Sequence, residues 1–290
     1  MVLCKNKKQI YIPVLFLAPS FIGLSVFYII PFIWMIYYSF VDSPVNGNFV
    51  GFENYISLLN NDAFRMAMKN SLTFMGISVP LIIIMSLILA ILLNKITFIK
   101  DKITTGFIIP LIIPIVSIIV FFDILFDNNG VINNILLHLN LQGIDWENSK
   151  YRIVVIIVMY IWKNLGYNMV LFLAGINNIP KEYYEAAQVD GANSFQRFYN
   201  ITIIYLMPTF FFVFVISIIN SFKVFKETFV LDGNYPNQKI YMLQHYMNNM
   251  FYKLDYHKLV TAAIILALII YILIFILYKL QKAANNLVNN

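Results

Sequence analysis

Charge is the scarcest property of this sequence. Only 12% of its 290 residues are Asp, Glu, Lys or Arg, while 60% are hydrophobic and the mean hydropathy is +0.76. A soluble domain carries about 25% charged and about 45–50% apolar residues, so this chain cannot cover a water-facing surface and reads as a membrane protein. Its length allows one or two domains at roughly 100–200 residues each, but apolar stretches leave no room for a folded soluble catalytic domain. Cysteine is nearly absent: Cys4 stands alone among Lys5, Lys7 and Lys8, ahead of any apolar segment, which excludes an intrachain disulfide. Histidine is almost as rare, and His138, His245 and His257 are too dispersed for a metal-binding spacing; they read as loop residues. No glycine is followed by lysine, so there is no P-loop, and no Ser, His and Asp set sits in a strand-and-turn context. The formal net charge is +6, but the lysines are scattered through loops with no basic helix or stripe. Such loops suit an anionic lipid surface and not nucleic acid.

What is abundant is uninterrupted apolar sequence, and the few charges punctuate it. Nothing charged lies between Lys8 and Asp42, Lys69 and Lys95, Lys102 and Asp123, Arg197 and Lys223, or Lys258 and Lys279; a sixth stretch from Ile153 to Ala174 contains only Lys163. Each meets the roughly 20-residue requirement for a helix crossing the bilayer core. We therefore expect an all-α integral membrane protein with six spans, near residues 10–40, 71–93, 103–126, 153–175, 201–222 and 259–280, forming one transmembrane domain over 1–290. The first stretch contains Pro13, Pro19 and Pro31 and is too long for a signal-peptide apolar region of about 7–15 residues; a kinked or tilted helix, or an interfacial lead-in, is expected. Six spans put both termini on one side. The lysine clusters flanking the first two spans favour a cytoplasmic N-terminus, although Lys and Arg overall divide ten against nine. The opposite side then holds the loops near residues 42–69, 127–152 and 223–258.

Between the fourth and fifth spans, residues 178–200 are neither apolar nor a simple linker. Asn178 can cap a helix, Pro180 suits a first turn, Glu182 and Glu185 favour the positive N-terminal end, and Gly191 can stop it. Tyr184, Ala187, Gln188 and Gly191 fall at i, i+3, i+4 and i+7, which gives one face small enough for close approach by another protein. On periodicity alone this is either a docking element or an interfacial helix on lipid headgroups. The residues carry more. Glu185-Ala186-Ala187, three residues, Gly191, nine residues, then Ile201 resembles the EAA motif of permease subunits of bacterial binding-protein-dependent ABC importers. Ile179 to Glu182, Asp190-Gly191-Ala192, Gly51 to Tyr55, Trp162 to Asn168 and Ser221 to Phe225 with Gly233 and Pro236 resemble that family's maltose-type carbohydrate branch. Departures are Ile203-Ile204 where the branch has Leu-Pro, Gly233-Asn234-Tyr235-Pro236 where it has Gly-Gly-Pro, and His257-Lys258-Leu259 where it has Gly-Tyr-Ala.

The resemblance implies a type I ABC importer permease, with a cytoplasmic coupling helix that docks in a separate ATPase dimer. That role would fall to Glu182, Glu185, Ala186, Ala187, Asp190 and Gly191. It also implies a second, related permease subunit, an extracytoplasmic solute-binding protein, a bacterial cytoplasmic membrane location, and ATP and Mg bound by the partner and not by this chain. Polar residues inside spans are costly and are functional candidates by default. Tyr160, Lys163, Asn164 and Tyr167 recur at helical spacing on the fourth span, and Ser217, Asn220 and Ser221 share a face on the fifth. Rings stack on pyranose faces while amides and hydroxyls bond sugar OH groups, so these faces suit a carbohydrate pathway; helix–helix hydrogen bonding is the alternative. Lys163 either lines that pathway, snorkels to a headgroup or bonds backbone carbonyls within the bundle, and Asp123 either reaches the interface or pairs with a lysine. A stand-alone ion-coupled transporter is the rival function; it requires mid-membrane carboxylates or broken helices.

Overall fold

The computed structural model describes residues 7–43, 47–96, 98–149 and 151–289, with side chains from 14 to 282; Cys4, Lys5 and Lys150 lie outside the described residues. It divides into two compact units: residues 1–61 with 250–267, and residues 62–249 with 268–290. Helices account for nearly all of both, and the sole pairing of extended chain among the described residues is an isolated bridge between Val41 and Phe49.

In the first unit, α1 (Lys7–Leu24) runs through a π-helical turn at Ser25–Ile29 into α2 (Ile30–Tyr38). Pro31 offers no N–H to the turn before it, and the backbone adapts by the wider Ile30 N–H to Ser25 carbonyl bond. The expected kinked helix is thus a helix with a π turn. Its apolar window, Val14–Tyr38, buries nothing within the chain, and Leu15, Phe16 and Phe27 are exposed, which is what a lipid-facing helix requires. A short α3 (Glu53–Leu59) follows, tied back by Asn54, whose amide donates to the Ser39 and Val41 carbonyls at 3.0 and 2.8 Å.

The second unit opens with α4 (Asp62–Asn94), 33 residues and therefore roughly 50 Å long. Its start precedes the expected residue 71 because Arg65 and Lys69 sit exposed on the helix. Charges mark where the hydrocarbon ends, and a helix can continue past that point. The third span differs more. Lys100–Ile112 (α5) and Ile115–Phe126 (α6) are separate helices, because Pro114 forces Ile113 into an extended conformation with ψ 133°. By length and hydropathy alone the apolar window there is Ile115–His138, which takes in α7 (Val131–His138). After α8 (Arg152–Asn177) and α9 (Lys181–Val189) come α10 (Ser194–Arg197), a π turn at Phe198–Thr202, α11 (Ile203–Tyr205), α12 (Met207–Lys223) and α13 (Phe225–Asp232). The fifth apolar window is Met207–Asp232, later at both ends than the expected 201–222. α14 (Leu243–Tyr252) and α15 (Tyr256–Asn289) complete the chain, the last containing the sixth window, Tyr256–Lys282.

α8 is the central element of this unit and packs along α4, α5 and α12. Phe74 and Ile82 of α4, Ile156 and Phe172 of α8, and Val213 and Ile218 of α12 form its principal core. A second core joins Ile118, Phe122 and Phe126 of α6 to Val155 and Met159 of α8 under Trp146. Buried Asn133 orders the loop over it: its Oδ1 accepts from Ile144 N and Trp146 Nε1, both at 3.0 Å, and its Nδ2 donates to the Ile144 carbonyl at 2.9 Å. At Gly166 the α8 backbone meets α5 so closely that a Cβ would lie 1.8 Å from the Phe107 carbonyl oxygen.

The segment expected as a loop from residue 223 to 258 is largely structured. α13 prolongs the fifth span, and Asn70 of α4 donates to the Gln238 and Tyr241 carbonyls at 2.6 and 3.0 Å. His245, expected in a loop, is 0% exposed on α14. Its Nδ1 accepts from Met242 N–H at 3.2 Å and its Nε2 lies 3.3 Å from Thr228 Oγ1, which itself donates to the Phe225 carbonyl at 3.0 Å; this arrangement needs the neutral Nε2–H tautomer. Burial pulls the imidazole from 6.5 down to about 4.

Two outcomes follow. Gly166→Ala should lower the thermal midpoint of the detergent-solubilised protein by the equivalent of about 1–3 kcal/mol, since overpacking must push α5 away. Gly23→Ala, where a Cβ meets nothing within 4 Å, should not lower it. For His245, the unfolded chain takes up the proton near pH 6.5 and the native state only near 4, so stability is full above pH 6.5 and falls as pH drops towards 4. The loss across that window is about 3 kcal/mol. His245→Gln should abolish that part of the pH dependence in thermal melts at pH 7.5 and 5.

Candidate functional site

Two places in the second unit gather the polar residues of interest. The first is a cavity of about 240 Å³ lined from α5, α8, α12 and α13, where Tyr160, Lys163, Asn164 and Asn220 meet. α8 supplies three of them because positions 160, 163 and 164 share one helical face. Lys163 neither snorkels nor binds a carbonyl. Its Nζ forms an ion pair with Glu227 Oε1 at 2.5 Å, and the Glu227 side chain is only 6% exposed. Glu227 Oε2 is buried without a hydrogen-bond partner, although the same carboxylate lines the cavity. Lys223 and Lys226 complete the polar rim.

The remaining pathway candidates are arranged differently. Tyr160 OH donates to the Ser217 carbonyl at 2.8 Å, Asn168 donates to Ser217 Oγ at 2.9 Å, and Ser221 Oγ donates to the Ile218 carbonyl at 2.7 Å. Ser217 therefore serves the α8–α12 interface, Ser221 bonds within its own helix, and Tyr167 is half-buried outside the cavity lining. Asn220 and Asn164 bridge the two helices at 3.3 Å within the cavity wall. Glu227 escaped sequence reasoning because it lies beyond the charge that ends the fifth apolar stretch; the signal available was an unmatched Lys163 in a span, which calls for an acid. Asp123 lines a second cavity with Asp127, Glu147, Arg152 and Asp232, where Arg152 pairs with Asp232 at 2.7 Å.

The second place is α9. The cap expected from Asn178 is not made there. Asn178 closes α8, its N–H donating to the Ala174 and Gly175 carbonyls at 3.2 Å each, and Pro180 occupies the N-cap of α9. Gly191 does stop the helix. It adopts φ +79°, Ala192 N–H donates to the Ala187 carbonyl at 2.9 Å and Gly191 N–H to the Gln188 carbonyl at 3.1 Å, a Schellman end that requires a left-handed residue. A side chain at 191 would meet nothing, so glycine is needed for its backbone conformation and not for space. The helix is rotated relative to the face read from periodicity. Tyr184 turns inward, packs against the principal core and meets Thr202 Oγ1 at 2.9 Å, and Ala187 is half-buried. Glu182, Glu185, Ala186, Asp190 and Gly191 are exposed, and so is Val189, at 88%. Among the described residues, none of the three acids forms an ion pair.

Residues 70–287 match the model of the binding-protein-dependent transport system inner membrane component, and the chain belongs to that family of transporter permeases, which are multi-pass membrane proteins and not themselves catalytic. It is 33% identical over 280 residues to the arabinooligosaccharides transport system permease protein AraP of Bacillus subtilis, covering 94% of this chain and 88% of that one. It is 30% identical over 272 residues to the lactose transport system permease protein LacF of Rhizobium radiobacter, covering 90% and 91%. Its fold is that of a chain in the crystal structure of a bacterial ABC transporter involved in the import of the acidic polysaccharide alginate, with a TM-score of 0.79, 23% identity and coverage of 95% and 96%. The EAA motif and coupling helix expected at α9 are typical of this family.

The ion pair makes a quantitative prediction. Lys163→Met leaves the buried Glu227 carboxylate unpaired and should cost about 3 kcal/mol of stability, whereas Lys163→Met with Glu227→Leu should recover most of it. Thermal melts of the single and double variants test this as a double-mutant cycle.

Proposed function

We propose that this chain is one permease subunit of an ATP-driven importer that carries a carbohydrate, an oligosaccharide or related glycoside, into the cytoplasm by alternating access. Residues 1–290 act as a single transmembrane permease domain in the bacterial cytoplasmic membrane with both termini inside. A second permease of related sequence completes the pore, an extracytoplasmic binding protein delivers the solute, and a separate ATPase dimer binds ATP and Mg. This chain needs no cofactor or metal of its own.

The observation that carries the proposal is α9, a nine-residue helix ended by Gly191 that presents unpaired Glu182, Glu185 and Asp190 beside exposed Val189. Exposed apolar surface beside unneutralised acids is what a basic, partly apolar cleft in a partner would receive. Tyr184, fixed from inside by Thr202, couples a push on α9 to the spans. The solute class follows from relatives that carry arabinooligosaccharides and lactose by name, and from the cavity chemistry of Tyr160, Lys163, Asn164 and Asn220, with Glu227 added. A carboxylate oxygen without a donor can accept a sugar hydroxyl, and amides can both donate and accept. Ser217 supports the same wall from behind through its bonds to Tyr160 and Asn168, while Tyr167 and Ser221 lie outside it.

Co-purification from native membranes in mild detergent tests this. Wild type should retain an ATPase, while Gly191→Pro combined with Glu185→Lys should insert normally and lose it; Val189→Asp alone should weaken retention at least tenfold. A wild-type chain that carries no ATPase and moves solute by itself in liposomes would overturn the reading.

A further inference from the structure

A cavity of about 480 Å³ lies between the end of α4, the end of α8 and the α9–α10 segment. Its walls are Ile91, Ile176 and Phe198, and its charges are Lys95 and Arg197. Lys95 directly follows the last residue of α4 and forms no ion pair among the described residues. Arg197 donates to neutral acceptors, Gln188 Oε1 at 3.2 Å and Ser194 Oγ at 3.3 Å. The acids of α9 lie outside this lining. Two positive charges therefore share one cavity without a counter-charge, above an apolar floor.

We infer that this cavity binds an anionic phospholipid, its headgroup phosphate between Lys95 and Arg197 and its first acyl carbons against Ile91, Ile176 and Phe198. An inorganic anion would satisfy the cations and leave the apolar walls wet; a neutral lipid would cover the walls and leave the cations unmatched. Only a molecule with both parts meets both demands. The level in the membrane agrees. Lys95 and Arg197 stand where the second apolar window ends and before the fifth begins, and exposed Phe195 and Tyr199 flank Arg197 with their rings stacked at 6.4 Å. Exposed aromatics beside basic residues mark the headgroup zone, and basic pockets between spans on the cytoplasmic side are suited to acidic headgroups. The inference rests on the proposed orientation only for the leaflet, the one rich in anionic lipid. Because Tyr184 of α9 also borders the cavity, the bound lipid forms part of the support behind the coupling helix.

Native mass spectrometry of the delipidated full-length chain, titrated with phosphatidylglycerol and phosphatidylcholine of the same acyl chains, tests it. Wild type should prefer phosphatidylglycerol on the order of tenfold, as two nearby cations allow. Lys95→Gln with Arg197→Gln should bring the ratio close to one, while Lys279→Gln, outside the cavity lining, should leave it unchanged. An equal affinity of wild type for both lipids overturns the inference without need of any variant. So does displacement of phosphatidylglycerol by millimolar inorganic phosphate, which would mark a free-phosphate site, or a preference that survives the double substitution. If the preference holds but wild type carries no ATPase in the co-purification, the lipid site stands and the importer reading falls.

Discussion

The constraint on which everything else depends is that a backbone in hydrocarbon must satisfy its own hydrogen bonds. It forces nearly every described residue within the spans into helix, and at some prolines the chain finds another solution, although α4 runs unbroken through Pro80 and α5 through Pro110. Pro31 is met with a π turn at Ser25–Ile29, and Pro114 with a full break between α5 and α6. Before Pro208 the helix passes through a π turn at Phe198–Thr202 and the short α11. None of these breaks is idle. The one at Ile113 lets α5 press on Gly166 of α8 while α6 turns to the second core under Trp146. The one before Pro208 separates the α9–α10 segment from the rigid part of the fifth span.

Once the backbone is satisfied, the costly items are side-chain charges, and the second unit settles them along α8. Arg152 pairs with Asp232 and Lys163 with Glu227, so two cations of one helix hold two acids of α13. A buried pair of this kind contributes little net stability against an apolar alternative, but it strongly penalises any arrangement that separates the partners. Its effect is to fix the register of α13 against α8. The hydrogen bonds of Tyr160, Asn164 and Asn168 to α12 do the same on the neighbouring side. The cavity lined by Lys163 and Glu227 is what remains between these two sets of ties.

The number of spans was legible in the sequence because desolvation of charge is a large and local penalty, but gaps between charges did not give their bounds: the apolar window Ile115–His138 takes in Asp123 and Asp127. Helix ends were not legible either, since a helix such as α4 continues into water carrying Arg65 and Lys69, and α13 carries the fifth span to Asp232. α9 was readable as a helix from its terminal grammar, with Gly191 as the stop. Its orientation was not, because the small residues at i+3 and i+7, Ala187 and Gly191, suit an inward face as well as an outward one, and Tyr184 decides the matter by finding Thr202. Glu227 and His245 were invisible for a common reason: each owes its role to a partner across the fold, 64 residues away for Lys163 and 17 for Thr228. Local pattern carries no trace of such pairings.

The size of the Lys163–Glu227 cavity bears on how the proposed transport would work. At about 240 Å³ it falls below the roughly 300–1,000 Å³ of ordinary small-molecule pockets, and an oligosaccharide of several rings is larger than a drug-sized ligand. Most polar groups in its wall are already engaged: Tyr160 with Ser217, Asn220 with Asn164, Lys163 with Glu227. A sugar can be held there only by replacing some of those bonds with its own hydroxyls, and the unpartnered Glu227 oxygen is the site where that exchange costs least. Binding that must break internal ties is strongly coupled to conformation. This suits alternating access better than a fixed, high-affinity site, because the solute is held while the ties are open and expelled when they close.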